Sequence, residues 1–264
     1  MKNILVPIGS SENAVSTLQY AIDFAKAINA KVFVLRAYNI LSKAGTIINV
    51  NDILERESNL YMRSIINSVD RKGLDIKLIS AKGNVVDSIV SVDKEIGLDL
   101  VVMGPKSNSI KEEVFLGTTS GSVVKHSNLP VLIVPEAYTF EPITAVLMAF
   151  KSGIIQKENV LDPLKSFMQT FQPVLNLLLV KTPGYTDNDL IVDSELDALK
   201  SSLTITENAT TFQGVLEHFQ SNQPNMLCVF RRKRGFFKKL WEKNVILKEE
   251  FHCNIPLLVL SGQE

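Results

Sequence analysis

Gly104, Ser107 and the run Gly117-Thr118-Thr119 form the pattern in this chain best suited to holding a ligand. Two positions separate Gly104 from Ser107, and nine separate Ser107 from Gly117. Gly104 closes an apolar, β-branched run. A glycine at a strand end lets the backbone approach a ligand with no Cβ in the way. Amides exposed where the next helix starts can then donate to phosphate oxygens. Gly117 offers a second close approach, and the hydroxyls of Thr118 and Thr119 are extra donors. Ser107 presents its amide equally well at negative φ; at positive φ it would cost about 1–2 kcal/mol more than glycine. The chemistry implied is capture of a phosphate by backbone. A glycine after a buried strand is also an ordinary tight strand-to-helix turn, and that reading stands beside the first.

The surroundings of this loop occur twice. Residues 125–134, KHSNLPVLIV, recur at 251–260 as FHCNIPLLVL, and residues 99–103, DLVVM, recur at 225–229 as NMLCV, an offset of 126 in both cases (252 − 126, 225 − 99). Between those anchors the second copy has Phe230 in place of Gly104. It then runs through Arg231, Arg232, Lys233 and Arg234 to Trp241 with no glycine pair at the first copy's spacing. A repeat this long is a domain duplication, since solenoid arrays repeat every ~20–50 residues. The expected organisation is two domains, 1–138 and 143–264, joined by a linker over 136–144 that contains Pro142. Each is large enough for its own core.

Apolar runs alternate with helical patterns in both halves. In the first, strands are expected at 4–8, 31–38, 75–81, 98–103 and 131–134. Helices are expected from Ser10 or Ser11, as cap, through Ala30, over 51–72 closed by Gly73, over 85–96, and over 112–127. In the second, strands are expected at 145–150, 174–180, 203–207, 226–230 and 257–260, with helices near 160–171, 189–201, 211–221 and 237–250. The segment 182–189 is too polar to assign. Short buried strands separated by crossover helices predict an α/β fold of two tandem doubly wound, five-stranded parallel-sheet domains. Ligands in such sheets sit beyond the carboxyl ends of the strands where strand order reverses.

Composition sets outer bounds. Lys+Arg and Asp+Glu each total 28 in 264 residues, so no net field draws in nucleic acid or an anionic membrane. The first residues enter a strand-like run without the pattern of a signal peptide. No apolar stretch approaches the roughly 18 residues of a membrane span. A cytoplasmic protein without membrane contact is therefore expected. Cys228 and Cys253 form no close-spaced motif and fall in apolar surroundings, which predicts buried, reduced thiols.

The stretches Gly83-Asn84-Val85-Val86-Asp87, Asp99–Gly104 and Pro130–Pro135, with the glycine spacing, make the chain similar to the universal stress protein family in its tandem two-domain form. The resemblance covers essentially the whole chain and implies the adenine nucleotide alpha hydrolase-like fold. Nucleotide-binding members carry glycine, two residues, a second glycine, nine residues, then glycine and Ser/Thr; here the spacing is intact and Ser107 replaces the second glycine. The resemblance implies ATP or a related adenine nucleotide in the first domain. Met103, Gly104, Ser107, Gly117, Thr118 and Thr119 would then stand on the phosphate side, with Pro7, Gly9 and the backbone of Ala37 on the base and ribose side. Family members commonly carry aspartate where Gly9 stands, so its absence argues against a metal-assisted contact. In the family the last strand builds the dimer, which implies intramolecular pairing of the two domains as a pseudo-dimer, and further homodimerisation of whole chains.

Other chemistry finds less support. Arg231, Arg232, Lys233, Arg234, Lys238 and Lys239 put six cations in nine residues, interleaved with Phe236 and Phe237 and followed by Trp241. Such a segment could contact phosphates and stack bases. A solvated loop leading into a helix whose Phe236, Phe237, Leu240 and Trp241 face the core is the preferred reading, and nucleic acid is not expected in a chain of zero net charge without a recognition motif. His126 and His252 occupy equivalent repeat positions, which predicts a shared packing or capping role. No nucleophile elbow, lysine-bearing phosphate loop or metal motif appears. The expected protein is a non-catalytic, nucleotide-binding stress-response protein, the alternatives being an interaction module for a protein partner without nucleotide, or a weak ATPase.

Overall fold

The computed structural model describes residues 1–39, 50–105, 118–231 and 254–261, with the side chains of Val50 and Thr118 excepted. Ser107, Gly117, the basic residues beyond Arg231, His252, Cys253, the first turns of the helix expected at 112–127 and the helix expected at 237–250 lie outside these residues. The described elements of the first copy are β1 (Asn3–Pro7), α1 (Ala14–Ile28), β2 (Lys31–Tyr38), α2 (Val50–Asn67), β3 (Ile76–Lys82), α3 (Val85–Ile96), β4 (Leu100–Met103), α4 (Thr118–His126) and β5 (Val131–Ile133). Those of the second are β6 (Ala145–Phe150), α5 (Asp162–Phe171), β7 (Val174–Lys181), α6 (Ser194–Leu199), β8 (Ser202–Glu207), α7 (Thr211–Asn222), β9 (Met226–Phe230) and β10 (Leu257–Leu260). The α/β fold built on parallel strands is as expected.

By contacts the chain divides into two compact units. In the first, the strand order is β3-β2-β1-β4, all parallel, with Ile4 opposite Leu100 and Pro7 opposite Leu35. Ile4, Leu5, Val6, Leu100, Val101 and Val102 are fully buried. A strand covered on both faces has no use for alternation, which is why these runs read as continuous hydrophobes. Helix α1 buries Leu18, Ala21, Ile22 and Ala25 at helical spacing, each large side chain contributing roughly 1.5–3 kcal/mol. Residues 136–140 belong to this unit as well. Phe140 meets the Tyr20 ring edge-on at 5.5 Å, and Tyr138 lies 6.1 Å from it, so the first part of the expected linker packs on α1.

Two helix boundaries differ from expectation. Helix α1 begins after Asn13, because the Ser11 hydroxyl accepts from the Asn13 amide two residues on and makes a turn instead of a cap. Helix α2 stops at Asn67, where Gln19 of α1 grips the next loop: its Oε1 accepts from the Asp70 amide and its Nε2 donates to the Asp70 carbonyl. Lys72 and Gly73, both at positive φ, turn the chain into β3. Helix α3 keeps its expected bounds: Gly83 at φ +121° leads to Asn84, whose Oδ1 accepts from the Asp87 amide.

The second unit has the order β5-β10-β9-β6-β7-β8. All neighbours are parallel except β5 and β10, which run antiparallel with Leu132 opposite Leu258. Strand β5, the fifth of the first copy, is thus counted in the second unit. The expected helix at 189–201 is reduced to one 3₁₀ turn at Asp187–Leu190 and the six-residue α6.

One device occurs in both units. The carboxylate of Asp99, just before β4, accepts from the amides of Lys2 (2.6 Å) and Asn3 (2.8 Å) at the start of β1. Asn225, its repeat counterpart before β9, accepts from the amides of Thr144 and Ala145 at the start of β6, both at 3.0 Å. Its Nδ2 also donates to the Pro142 carbonyl. Asp99→Ala is expected to lower stability by about 1–3 kcal/mol in urea unfolding, while Asp99→Asn, copying the second unit, is expected to retain most of it.

Candidate functional site

The chain reverses its direction across the first unit's sheet between β1 and β4, and their carboxyl ends open into loops where a ligand can enter. Pro7 ends β1 and Met103, buried, ends β4; extending the register from Ile4–Leu100 sets these two level. Gly9 follows in the loop before α1, and no heavy atom lies within 4 Å of where its Cβ would be. A Cβ on Gly104 would come within 3.1 Å of the Thr17 hydroxyl of α1, so a side chain there would need that residue to give way. The Ser120 hydroxyl donates to the Gly104 carbonyl at 2.7 Å, tying the first turn of α4 to the end of β4. Thr118 opens that helix and Thr119, half-buried, follows. Ala37 sits in β2 opposite Ala81, one residue from the strand end.

The residues expected at the site that the structure describes therefore stand at the carboxyl ends of three neighbouring strands and at the start of α4. The arrangement offers backbone groups at β4 and α4 and unobstructed space at Gly9. Three contributors escaped the sequence reading: Thr17, Ser120 and Tyr61. Tyr61, on α2, donates its hydroxyl to the Gly9 carbonyl at 3.0 Å. Nothing local marks these residues, because each meets the site through tertiary packing. A fourth had a signal: Arg36 is the only charged residue in the strand run 32–38. Its guanidinium lies 3.7 Å above the centroid of the Tyr61 ring.

The corresponding place in the second unit is filled. Phe230, where the first copy has Gly104, is buried and packs edge-on against the buried Phe150 at the end of β6, ring centroids 6.3 Å apart. Gly153, in the loop after β6, donates its amide to the Asp189 carbonyl and accepts from the Asp193 amide. The segment 182–193 thereby straps across it, so close that a Cβ on Gly153 would stand 2.6 Å from the Ile191 carbonyl oxygen and the Val192 Cα. Asp189 anchors the strap: its carboxylate accepts from both the amide and the hydroxyl of Thr186 at 2.9 Å. The Thr186 amide chiefly holds that carboxyl below its ordinary pKa, with Ser152, the Thr186 hydroxyl and Lys151 assisting.

His126 lies in the last turn of α4 with Nδ1 3.0 Å from the Ser122 carbonyl, a bond within its own helix end. Cys228 is fully buried in β9, and burial pushes its thiol pKa up. Among the described residues no group of three or more His, Cys, Asp or Glu is placed to hold a metal, and no helix is long and apolar enough to cross a membrane.

Two outcomes follow for the second unit. Phe230→Ala is expected to cost about 3–5 kcal/mol of stability in chemical denaturation, the range for a buried aromatic truncated to alanine. For Asp189, a depressed native pKa means stability present above the unfolded carboxylate pKa and lost as pH falls through the native one. Asp189→Ala should therefore melt below the parent protein at neutral pH, with the gap closing once the pH drops below the usual carboxylate range.

Similarity to known proteins agrees with this architecture. The profile described as "Universal stress protein family" matches residues 1–135. Universal stress protein MJ0531 of Methanocaldococcus jannaschii is 24% identical over 138 residues, spanning 50% of this chain and 81% of that protein. A solved universal stress protein from Archaeoglobus fulgidus superposes with a TM-score of 0.70 at 19% identity over 98% of both chains, a likeness of fold across both halves. Another solved universal stress protein, in complex with cAMP, shares 24% identity over 51% of this chain and 97% of its own, with a TM-score of 0.42. With half of its length matched by the family profile and its whole length sharing the fold, the chain belongs to the universal stress protein family.

Proposed function

We propose that the first unit binds ATP or a related adenine nucleotide without turning it over, and that the protein serves the stress response through that binding. The observation that carries the reading is the junction at the strand-order reversal: Gly104 at the end of β4, bonded through the Ser120 hydroxyl to the first turn of α4. Helix amides beside a side-chain-free backbone suit a phosphate, because both the dipole and the N–H groups point at it. Binding without turnover is favoured by Gly9, which supplies neither a general base nor a metal ligand where an aspartate would stand.

The second unit we read as a folded partner to the first. Its Phe150–Phe230 pair occupies the place where a ligand's phosphates would approach the backbone. No change to its exposed loops would create a nucleotide site while those rings remain.

Titration of the purified full chain with a fluorescent ATP analogue tests the proposal. Saturable binding in the micromolar range, competed by unlabelled ATP, is expected. Gly117→Arg should weaken it by about tenfold or more, a loss of about 1.4 kcal/mol. Phe230→Gly should leave the stoichiometry at one. Binding that does not saturate, or that survives Gly117→Arg unchanged, would overturn the reading.

A further inference from the structure

Arg36 is a half-shielded cation that forms no ion pair among the described residues. It stands in a parallel strand whose preceding residues Val32, Phe33, Val34 and Leu35 are all buried. Its Nη1 is buried and donates to no acceptor. None of the ion pairs among the described residues involves it. Ser80, opposite it on β3, spends its hydroxyl on Ser58 (3.0 Å) and Asn59 (3.1 Å) of α2. Among the described residues the guanidinium meets the face of Tyr61, a contact that uses its π surface and leaves the Nη1 donor unanswered. A shielded charged donor with no acceptor is costly for a fold to retain. On α2, the Asn51 side-chain oxygen is likewise buried without a partner.

The position of this cation gives it meaning. The Tyr61 ring beneath it donates its hydroxyl to the carbonyl of Gly9, so the guanidinium is one phenol ring away from the open loop at the end of β1. Neighbouring strands run β2, β1, β4 in that order, with Arg36 on the first, Gly9 after the second and Gly104 after the third. On the site reading above, a nucleotide with its 5′-phosphate at Gly104 has its ribose on the Gly9 side, and the strand next to that of Gly9 carries Arg36. Arginine forks match phosphate oxygens, and an arginine near the second strand of doubly wound sheets can accommodate a phosphate on the ribose.

Resting on the adenine-nucleotide reading above, we propose that Arg36 reads a second phosphate, carried on the ribose hydroxyl edge. The preferred ligand is then an adenine nucleotide phosphorylated at both ends of the ribose. The shared chemistry is a phosphate dianion answering a guanidinium, and its source is distinguishable from free inorganic phosphate.

Calorimetric titration of the full chain with AMP, adenosine 3′,5′-bisphosphate, adenosine 2′,5′-bisphosphate and inorganic phosphate decides the matter. One bisphosphate is expected to bind at least about tenfold tighter than AMP. In Arg36→Met that ratio should fall to near one while AMP affinity stays within about twofold. Arg36→Lys, which keeps the charge without the fork, should retain an intermediate ratio; it also serves if the methionine variant fails to melt cooperatively. Equal binding of AMP and both bisphosphates to the parent protein would overturn the proposal, as would a preference that survives Arg36→Met. Arg36-dependent binding of inorganic phosphate with no bisphosphate preference would overturn it too, marking a free-anion site instead. If no adenine nucleotide binds, the reading under Proposed function fails and this one falls with it; if AMP and both bisphosphates bind equally, only this one fails.

Discussion

The neighbouring of β1 and β4, strands almost a hundred residues apart in the chain, is the constraint on which the rest of the first unit depends. Two strands so separated must be brought side by side at one end and allowed to diverge at the other. The Asp99 carboxylate does the first, taking two amides from the start of β1. Side-chain packing of Ile4, Leu5, Leu100 and Val101 carries the register forward. By Pro7 and Met103 the strands have ended, and the chain leaves each into a loop toward its own helix.

The same frame in the second unit holds different contents. Asn225 repeats the Asp99 contacts with a neutral amide, which shows that the device needs an acceptor and not a charge. The carboxyl ends above it are closed by the Phe150–Phe230 pair and by the strap over Gly153. A buried aromatic pair adds apolar area that an open cleft cannot, about 0.5–1.5 kcal/mol beyond burial for the ring contact itself. Duplication thus produced one half with Gly104 at the end of its fourth strand and one with Phe230 packed at the corresponding place.

Charge separates the two halves as well. In the first, Gly9 puts no carboxylate directly after β1, although Glu12 follows in the same loop, and Arg36 on the strand beside it makes no ion pair among the described residues. A guanidinium held without an ion pair favours anions locally. In the second, the equivalent loop is knit to an acidic segment, Asp187 to Asp197, in which Asp189 engages Thr186, Asp193 the Glu195 amide, Glu195 Lys165 and Asp197 Lys200. That segment consumes its own charges in holding the strap.

The strands were legible in the sequence because a parallel strand buried on both faces must be apolar throughout: β6, β9 and β10 have the bounds that their hydrophobic runs predict. The duplication was legible because the pairs Asp99–Asn225 and Pro130–Pro256 keep their spacing. Gly104 announced itself by type and position. Helix ends were less so, since the start of α1 was settled by a turn at Ser11 and the end of α2 by the grip of Gln19 on Asp70, contacts between residues 51 apart. Fold class, repeat and glycine-bearing strand end are local or periodic properties, and the order of residues alone specifies them. What faces that glycine (Thr17, Ser120), what closes the second unit (Phe150 on Phe230), and the seat of Arg36 on Tyr61 without an ion pair among the described residues came from the folded chain. Those are properties of side chains meeting across a fold, and no one-dimensional pattern carries them.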